Sequence, residues 1–215
     1  MKSVAVVAVL ALAVIPLQAA ETKTFELKAD ATGAPAGWTF GRTGQGKAGR
    51  WVVEEGQPLG AAGSVLVQRD ADETDYRFPV AFAPGVTMTD GTVKVRCRPL
   101  SGKVDQACGV ILRARGEKEY VIARANALEN NVRFYKVEAG KRKQLATADV
   151  EVASGKWQGL ALTARGSRFS VLLNGKPLFD ADDATFADAG KAGLWTKADS
   201  VTHFDHLEIR TYDTR

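Results

Sequence analysis

The sequence predicts an all-β fold in which two antiparallel sheets pack face to face. Short runs that alternate apolar and polar residues follow one another along the chain, as in TVKVRCR and NVRFYKV. Breaks rich in Gly, Pro, Asn and Asp separate these runs at intervals of about 8–12 residues, a spacing typical of a β-sandwich or barrel. Helical periodicity is almost absent, and residues 182–187 form the one weak helical or 3₁₀ candidate.

Turn residues bound each strand candidate, and one of the turns has a defined type. Asn174-Gly175 predicts a two-residue hairpin, because both central positions of that turn take positive φ. Ala139-Gly140 marks a further hairpin. The strand candidates, in chain order, are residues 24–28, 50–54, 65–68, 76–82, 92–98, 108–115, 119–125, 131–137, 144–148, 157–165, 168–173, 176–180, 192–196 and 202–210.

Residues 1–20 have the pattern of a secretory signal peptide. Lys2 gives a basic start, residues 4–17 are apolar, and Ala19-Ala20 supply small residues for cleavage. The apolar run is too short for a transmembrane helix. We therefore expect residues 1–20 to be removed on export, the protein to be secreted or periplasmic, and residues 21–215 to form a single domain.

Neither the overall charge nor the apolar runs after residue 20 predict a nucleic-acid or membrane partner. The formal net charge is +4 at pH 7, and the pI is about 9.1. A charge of this size does not by itself imply nucleic-acid binding. After residue 20, no apolar run approaches the ~18 residues that would predict a membrane span.

Cys97 and Cys108 are the only cysteines, and two interpretations of them stay open. Each lies on the apolar face of its strand, near the ends of consecutive strands. Export would place them where disulfides persist, so a bridge closing the loop 98–107 is one expectation. The alternative is two buried free thiols that pack as small apolar side chains.

Several segments follow one another in an order that is typical of one group of bacterial envelope domains. CGVILR (108–113), EYVIAR (119–124) and NVRFYKV (131–137) come first, and the Asn174-Gly175 hairpin and GLWT (193–196) follow. In this order the chain resembles the laminin-G-like, concanavalin-A-like jelly rolls, a group that includes the 3-keto-disaccharide hydrolase domains. The resemblance implies a two-sheet jelly roll and a glycan ligand.

The chain departs from the hydrolase members of that group at two places. They open with a Leu-Phe-Asp/Asn-Gly motif before the first Gly-Trp, where this chain has KADATGAPAGW. Their closing Phe-Asp-Asp is Phe204-Asp205-His206 here. The resemblance is therefore to the smaller laminin-G-like branch, and it implies a fold without an established activity.

The usual catalytic patterns are missing from the sequence. Glycoside hydrolysis needs two carboxylates about 5–10 Å apart, and no Glu-x-Asp-x-x-Glu strand of the glucanase kind occurs. The acids of RDADETD (69–75) are expected to lie in a solvated turn. No Gly-x-Ser-x-Gly elbow is present. His203 and His206, three apart on one strand, point to opposite faces and cannot share a zinc ion, so no catalytic residue is assigned.

Calcium is the one cofactor that we consider. Jelly rolls of the resembled kind often hold a cation with oxygen ligands that join the terminal strands. The candidate ligand is Asp205, with Asp30 or nearby carbonyl groups as partners. The alternative is that Asp205 caps a turn or pairs with an arginine.

One face of the predicted central strands is rich in arginine and tyrosine. Because side chains alternate along a strand, the apolar residues of each strand define the core face and the rest point away. Arginine suits carboxylates and sulfates, and tyrosine rings suit sugar faces. An outward sheet face is also normally polar, so a merely solvated surface is the alternative. The candidate ligand-binding residues are Arg96, Arg113, Tyr120, Arg124, Arg133 and Tyr135.

Three functions are compatible with these observations. The first is a non-catalytic, exported module that binds a glycan, expected to be acidic, on the Arg/Tyr face. The second is a hydrolase or lyase acting on 3-keto-glycosides, which only the family resemblance implies. The third is a structural interaction domain without a small ligand.

Overall fold

The computed structural model describes residues 21–56 and 63–212, which fold into β-strands without a helix. The proposed signal peptide, residues 1–20, lies outside the described residues. No helix in the described ranges has the length and apolar character needed to cross a membrane. The strands are β1 (Thr22–Thr24), β2 (Thr39–Gly44), β3 (Trp51–Gly56), β4 (Gly63–Gln68), β5 (Arg77–Met88), β6 (Asp90–Ser101), β7 (Ala107–Gly116), β8 (Glu119–Asn126), β9 (Asn131–Glu138), β10 (Lys141–Asp149), β11 (Gln158–Arg165), β12 (Arg168–Leu173), β13 (Lys176–Asp182), β14 (Gly190–Trp195) and β15 (Val201–Tyr212).

These strands form two antiparallel sheets, which confirms the predicted β-sandwich. The first sheet has the order β13-β12-β11-β6-β15-β4-β3, and β1 pairs with β15. The second sheet has the order β10-β9-β8-β7-β14-β5-β2. The weak helical candidate at residues 182–187 is wrong, because this stretch is the end of β13 and an irregular connection to β14.

The main core lies between the sheets and follows the period-two alternation of the sequence. In β11, buried and half-buried residues alternate from Gln158 to Ala164. Phe134 of the second sheet and Phe169 of the first meet there, with ring centroids 5.0 Å apart. Side chains from the two inner faces interdigitate in this way in sandwiches generally.

Cys97 and Cys108 form a disulfide, so the bridged interpretation is confirmed. Cys97 belongs to β6 in the first sheet and Cys108 to β7 in the second, and their Cα atoms are 6.3 Å apart. The bridge therefore ties the two sheets together at the base of the loop between β6 and β7.

The second sheet curls, so that its two edges approach each other across one face. On one side, the backbone N–H of Arg42 in β2 donates to the Glu117 carboxylate in the β7–β8 turn (2.8 Å). On the other, the Tyr76 hydroxyl donates to the carbonyl of Gly140 in the β9–β10 turn (3.2 Å) and accepts from the N–H of Arg142 (3.0 Å). We refer to the face enclosed by this curl as the concave face.

Candidate functional site

Three arginines converge on one tyrosine on the concave face. Arg124 of β8 is paired in register with Arg133 of β9, and Tyr135 follows two residues later on the same face. Arg142, at the start of β10, lies opposite Val137 and reaches back over the Tyr135 ring, with its guanidinium carbon 4.4 Å from the ring centroid. Arg124, Arg133 and Arg142, arranged around Tyr135, form what we call the arginine cluster.

Glu129, in the β8–β9 turn, is the carboxylate of this cluster. It accepts a hydrogen bond from Arg124 Nη2 (2.8 Å) and lies 3.1 Å from Arg133 Nη1. Arg124 also donates to the Asn131 side-chain carbonyl and to the Tyr135 hydroxyl, the latter over 3.4 Å. Among the described residues, no other carboxylate is within ion-pair distance of the three arginines.

The cluster holds hydrogen-bond donors that no described residue accepts. The Nε of Arg124, the Nε of Arg133 and the Nη1 of Arg142 are buried and have no partner in the described part of the chain. Buried donors are normally satisfied, and an arginine has five N–H groups but no acceptor. The arginines therefore have donors to spare for an oxyanion.

The charges of the cluster are those of an ionised carboxylate among guanidinium groups. Burial raises the pKa of Glu129, but Arg124, Asn131 and Arg133 together lower it further, so it lies below its ordinary value. The Tyr135 hydroxyl raises the pKa of Arg133, burial opposes this, and Glu129 adds to the rise. Near Tyr135 there are thus three positive charges and one negative.

A polar network adjoins the cluster through Asn126, which is paired in register with Asn131. Lys197 is 2.9 Å from Asp105 and 2.6 Å from the exposed Asp75, and the Asn126 amide donates to Asp105 (2.9 Å). Burial raises the pKa of Asp105 more than its contact with Lys197 lowers it. Asp105 and Asn126 are buried, so only the exposed Asp75 and the partly exposed Lys197 present polar groups to solvent.

The loop that carries Asp105 is held by a single carboxylate. Asp199 accepts the backbone N–H groups of Lys103, Val104 and Asp105. Burial raises the pKa of Asp199, but these N–H groups lower it by more, so the pKa falls below its ordinary value.

The other half of the concave face is an aromatic core. Trp195 stacks on Phe78 with ring centroids 5.2 Å apart and donates from Nε1 to the Tyr120 hydroxyl (3.2 Å). That hydroxyl is also 2.7 Å from Thr43 Oγ1, and burial raises the pKa of Tyr120 to about 12. The Arg142 guanidinium covers the rings, 4.8 Å from Phe78 and 6.0 Å from Trp195.

Of the six predicted ligand-binding residues, the structure brings together Arg124, Arg133 and Tyr135. The predicted outward face is not a solvated surface for most of the set, because the curl of the sheet and the loops around it cover the face. Arg124 is 2% exposed, Tyr135 4% and Tyr120 0%. Only Arg133, whose side chain is 32% exposed, presents much surface. Whether these residues bind a ligand stays a prediction.

Arg113 does not lie on the concave face. It sits in a bulge of β7 with a φ of 52°, which turns its side chain toward the rim of the sandwich. There it donates to the carbonyl groups of Thr89 (2.7 Å), Gly166 (2.6 Å) and Phe186 (2.8 Å) and lies over the Phe169 ring. Three loops thus depend on Arg113, which makes it a structural residue.

Arg96 lies on the first sheet and forms a bidentate pair with Asp205, at 2.8 and 2.9 Å. The prediction that it shares a face with the other arginines was wrong, because β6 and β7 belong to different sheets.

Asp30 uses its carboxylate to hold its own turn through Thr32 and Ala34. Within residues 21–56 and 63–212, no three His, Cys, Asp or Glu side chains are grouped as a metal site. Calcium at Asp205 stays a prediction that would require the Arg96 pair to open.

The acidic segment at residues 69–75 is more structural than a solvated turn. Asp70 pairs with the fully buried Arg77 (2.7 Å). Asp72 accepts from Thr74 and from the N–H of Lys47, which lower its pKa well below the ordinary range. These carboxylates fix the entry to β5 and are not free for acid–base chemistry.

Several residues of the site were not predicted from the sequence. Arg142 lies before the predicted strand 144–148, which in the structure begins at Lys141. Other residues that bound the cluster lie in connections or at strand ends. Glu129 and Lys197 lie in connections between strands, whose approach to the sheet has no period-two signal. Asp105 precedes β7, and Asn126 and Asn131 are the last residue of β8 and the first of β9.

Comparison with known proteins establishes the fold. No family profile and no curated protein matches the chain. The structure is similar to a carbohydrate-binding module, CBM66, from Bacillus subtilis, with a TM-score of 0.61, 22% identity, and coverage of 80% of this chain and 94% of that one. It is similar to domain 4 of the GH43 extracellular arabinanase AbnA from Geobacillus stearothermophilus, solved with arabinotriose (TM-score 0.56, 15% identity, 88% and 89% covered). It also resembles a Bacillus licheniformis β-glucanase (TM-score 0.55, 13% identity, 90% and 98% covered).

These similarities confirm a concanavalin-A-like jelly roll, as the sequence resemblance implied. At such identities they establish the fold alone. None of them links the chain to the 3-keto-disaccharide hydrolase domains, and that relation stays a prediction.

Proposed function

We propose that this protein is an exported, non-catalytic module that binds an acidic glycan at the arginine cluster. The observation that carries the proposal is the convergence of Arg124, Arg133 and Arg142 on Tyr135 with one carboxylate, Glu129. A carboxylate or sulfate of the glycan would accept hydrogen bonds from the guanidinium groups of Arg133 and Arg142, which are partly exposed. Export rests on the signal-peptide pattern of residues 1–20.

The neighbouring polar groups support a sugar in preference to a small inorganic anion. Lys197 and the exposed Asp75 present polar groups beside the cluster, while Leu128 and Val104 are exposed apolar side chains in the adjoining turns. A sugar ring offers hydroxyl groups to the first set and C–H surfaces to the second. The similarity of the fold to carbohydrate-binding modules is in keeping with this ligand class.

The test compares a cluster variant with a charge-matched control. Arg133→Gln with Arg142→Gln removes two charges from the cluster, and Arg168→Gln with Arg165→Gln removes two from the β11–β12 hairpin of the first sheet. Binding to polygalacturonate, dextran sulfate and neutral dextran is measured by titration calorimetry and affinity electrophoresis. We expect the cluster variant to lose at least about tenfold in affinity for one acidic polymer, because hydrogen bonds to charged groups contribute ~1.5–3 kcal/mol each.

Salt separates a specific site from diffuse attraction. Binding should weaken with added salt in every variant, because exposed charges are screened over about 8–10 Å. The proposal fails if wild-type protein binds none of the three polymers, or if both double variants lose affinity equally. Binding of neutral dextran that survives in the cluster variant would place a glycan site elsewhere.

A further inference from the structure

The outer face of the first sheet carries a second aromatic and basic group, centred on Trp157. Gln158 is paired with Cys97, whose side chain lies in the main core, so Trp157, one residue earlier, points outward. The guanidinium carbons of Arg96 and Arg98 lie 4.9 and 5.1 Å from its ring centroid. Trp157 is partly exposed in this position.

The two arginines differ in how their charge is balanced. Arg96 is neutralised by its bidentate pair with Asp205. Arg98 has no carboxylate within ion-pair distance among the described residues, and its Nε is buried without a partner there. A guanidinium that is partly desolvated and unpaired is a ready partner for an oxyanion.

His203, on the next strand, completes the group but does not neutralise it. Its Nδ1 lies 3.3 Å from Arg98 Nη2. Burial lowers the pKa of His203, and the charge of Arg98 lowers it further, so the ring is neutral at pH 7. Glu54 and Arg69, whose charges also act on His203, form an ion pair with each other. Arg98 therefore carries the unbalanced charge of this group.

We infer that Trp157, Arg98 and His203 form a second binding site, which takes the carboxylate or sulfate group of an acidic polysaccharide. We call it the outer-face site. Arg98 supplies the unbalanced charge, and Trp157 supplies apolar surface beside it. The site lies on the opposite sheet from the arginine cluster, so one polymer could contact both faces or two polymers could be joined. Two linked sites raise overall affinity through effective concentration.

The inference extends the proposed function but can be tested apart from it, because His203 reports on the outer face alone. The titration of His203 is followed by NMR, with His206→Gln to assign the signal, in the presence and absence of polygalacturonate or dextran sulfate. An anion beside Arg98 should raise the His203 pKa, because it offsets the positive charge that depresses it. Arg98→Gln should abolish the response, and the double variant Arg133→Gln/Arg142→Gln should retain it.

Affinity measurements add a second readout. In the Arg133→Gln/Arg142→Gln background, Arg98→Gln and, separately, Trp157→Ala should remove most of the remaining retention on the acidic polymer. A response to polygalacturonate alone identifies a carboxylate, and one to dextran sulfate alone identifies a sulfate. The inference is overturned if neither polymer shifts the His203 titration, or if Arg98→Gln leaves both readouts unchanged in a protein with wild-type melting temperature. A response that inorganic sulfate reproduces while both polymers fail would show an adventitious ion only.

Discussion

The two halves of the concave face are built from the same strands but have opposite characters. Across one row of the sheet, Trp195, Gly109, Arg124 and Arg133 are consecutive partners in β14, β7, β8 and β9. On one side of Gly109 the face is an aromatic core whose residues are at most 5% exposed. On the other, it carries charged groups with unused donors. Glycine marks the boundary, where a Cβ would lie 3.3 Å from that of Arg124 and 3.1 Å from Ile122.

The difference shows how the curl of a sheet can bury one part of a face more completely than another. The aromatic half is closed by the fold itself, since β2 and Tyr76 reach across it to the opposite hairpin turns. The arginine half is closed less completely: Arg124 and Tyr135 are buried, whereas the Arg133 side chain is 32% exposed. A glycan that approaches the concave face therefore meets the arginine cluster, while the aromatic rings contribute stability and support Arg142 from below.

The largest expected effect is the loss of stability caused by a substitution in the aromatic half. Trp195→Ala should lower the free energy of unfolding by about 3–5 kcal/mol, because it leaves a cavity beside Phe78 and removes the partner of Tyr120. Urea denaturation measures the change. Trp157→Ala, at a partly exposed position on the outer face, is the matched control and should cost much less. Equal losses would mean that the concave rings are not a core.

The second prediction separates the two arginines of β8 and β9. Arg124→Ala should cost about 1–3 kcal/mol of unfolding free energy, because it leaves buried groups such as the Asn131 carbonyl without their donor. Arg133→Ala should cost under about 1 kcal/mol, since its pair with Glu129 is partly exposed. The two arginines therefore differ in stability even though they are paired in register on one face.

If denaturation curves show the two variants to be equally stable, the burial of Arg124 has no energetic consequence and the cluster is looser than its contacts indicate. If Arg133→Ala instead unfolds the protein, its role is structural. Loss of glycan retention in Arg133→Ala without loss of stability would locate the binding energy on the exposed side of the cluster.

The sequence predicted the sandwich and three residues of the arginine cluster for the same reason. Period-two alternation places Arg124, Arg133 and Tyr135 on one face of their strands, whichever sheet those strands join. It cannot say that the face is covered, which depends on the curl of the sheet. One signal was available: Ile111 and Ile122 interrupt the alternation, and strands buried on both faces read as continuous apolar runs.

Residues outside that alternation could not be predicted in the same way. The pairing of β6 with β11 and β15, which puts Arg96 on the first sheet, depends on crossovers that short connections do not reveal. Glu129 and Lys197 reach the site from turns, where side-chain direction follows local backbone geometry and not a period. Arg113 points away from its expected face because a bulge shifts the register after Leu112.

The smallest expected effect is a pH-dependent contribution to stability from the loop beside the arginine half. The ionised Asp199 accepts three backbone N–H groups of the loop beside the arginine half, and its folded-state pKa lies below the ordinary value of 3.8. A carboxylate of this kind stabilises the folded state fully above its unfolded pKa, and the contribution is lost as pH falls through the folded pKa. Asp199→Asn should therefore be about 1 kcal/mol less stable than wild type at pH 7, and the difference should shrink below about pH 4.

The comparison with Asp188→Asn, an exposed partner of Arg115 at the rim, controls for the loss of one negative charge and should show a smaller difference at pH 7. Urea denaturation at a series of pH values gives both curves. The prediction fails if the Asp199→Asn difference is constant from pH 7 to pH 2.5, because the loop would then not depend on the ionised carboxylate. A difference that shrinks together with glycan retention would show that Asp199 orders the polar boundary of the arginine cluster.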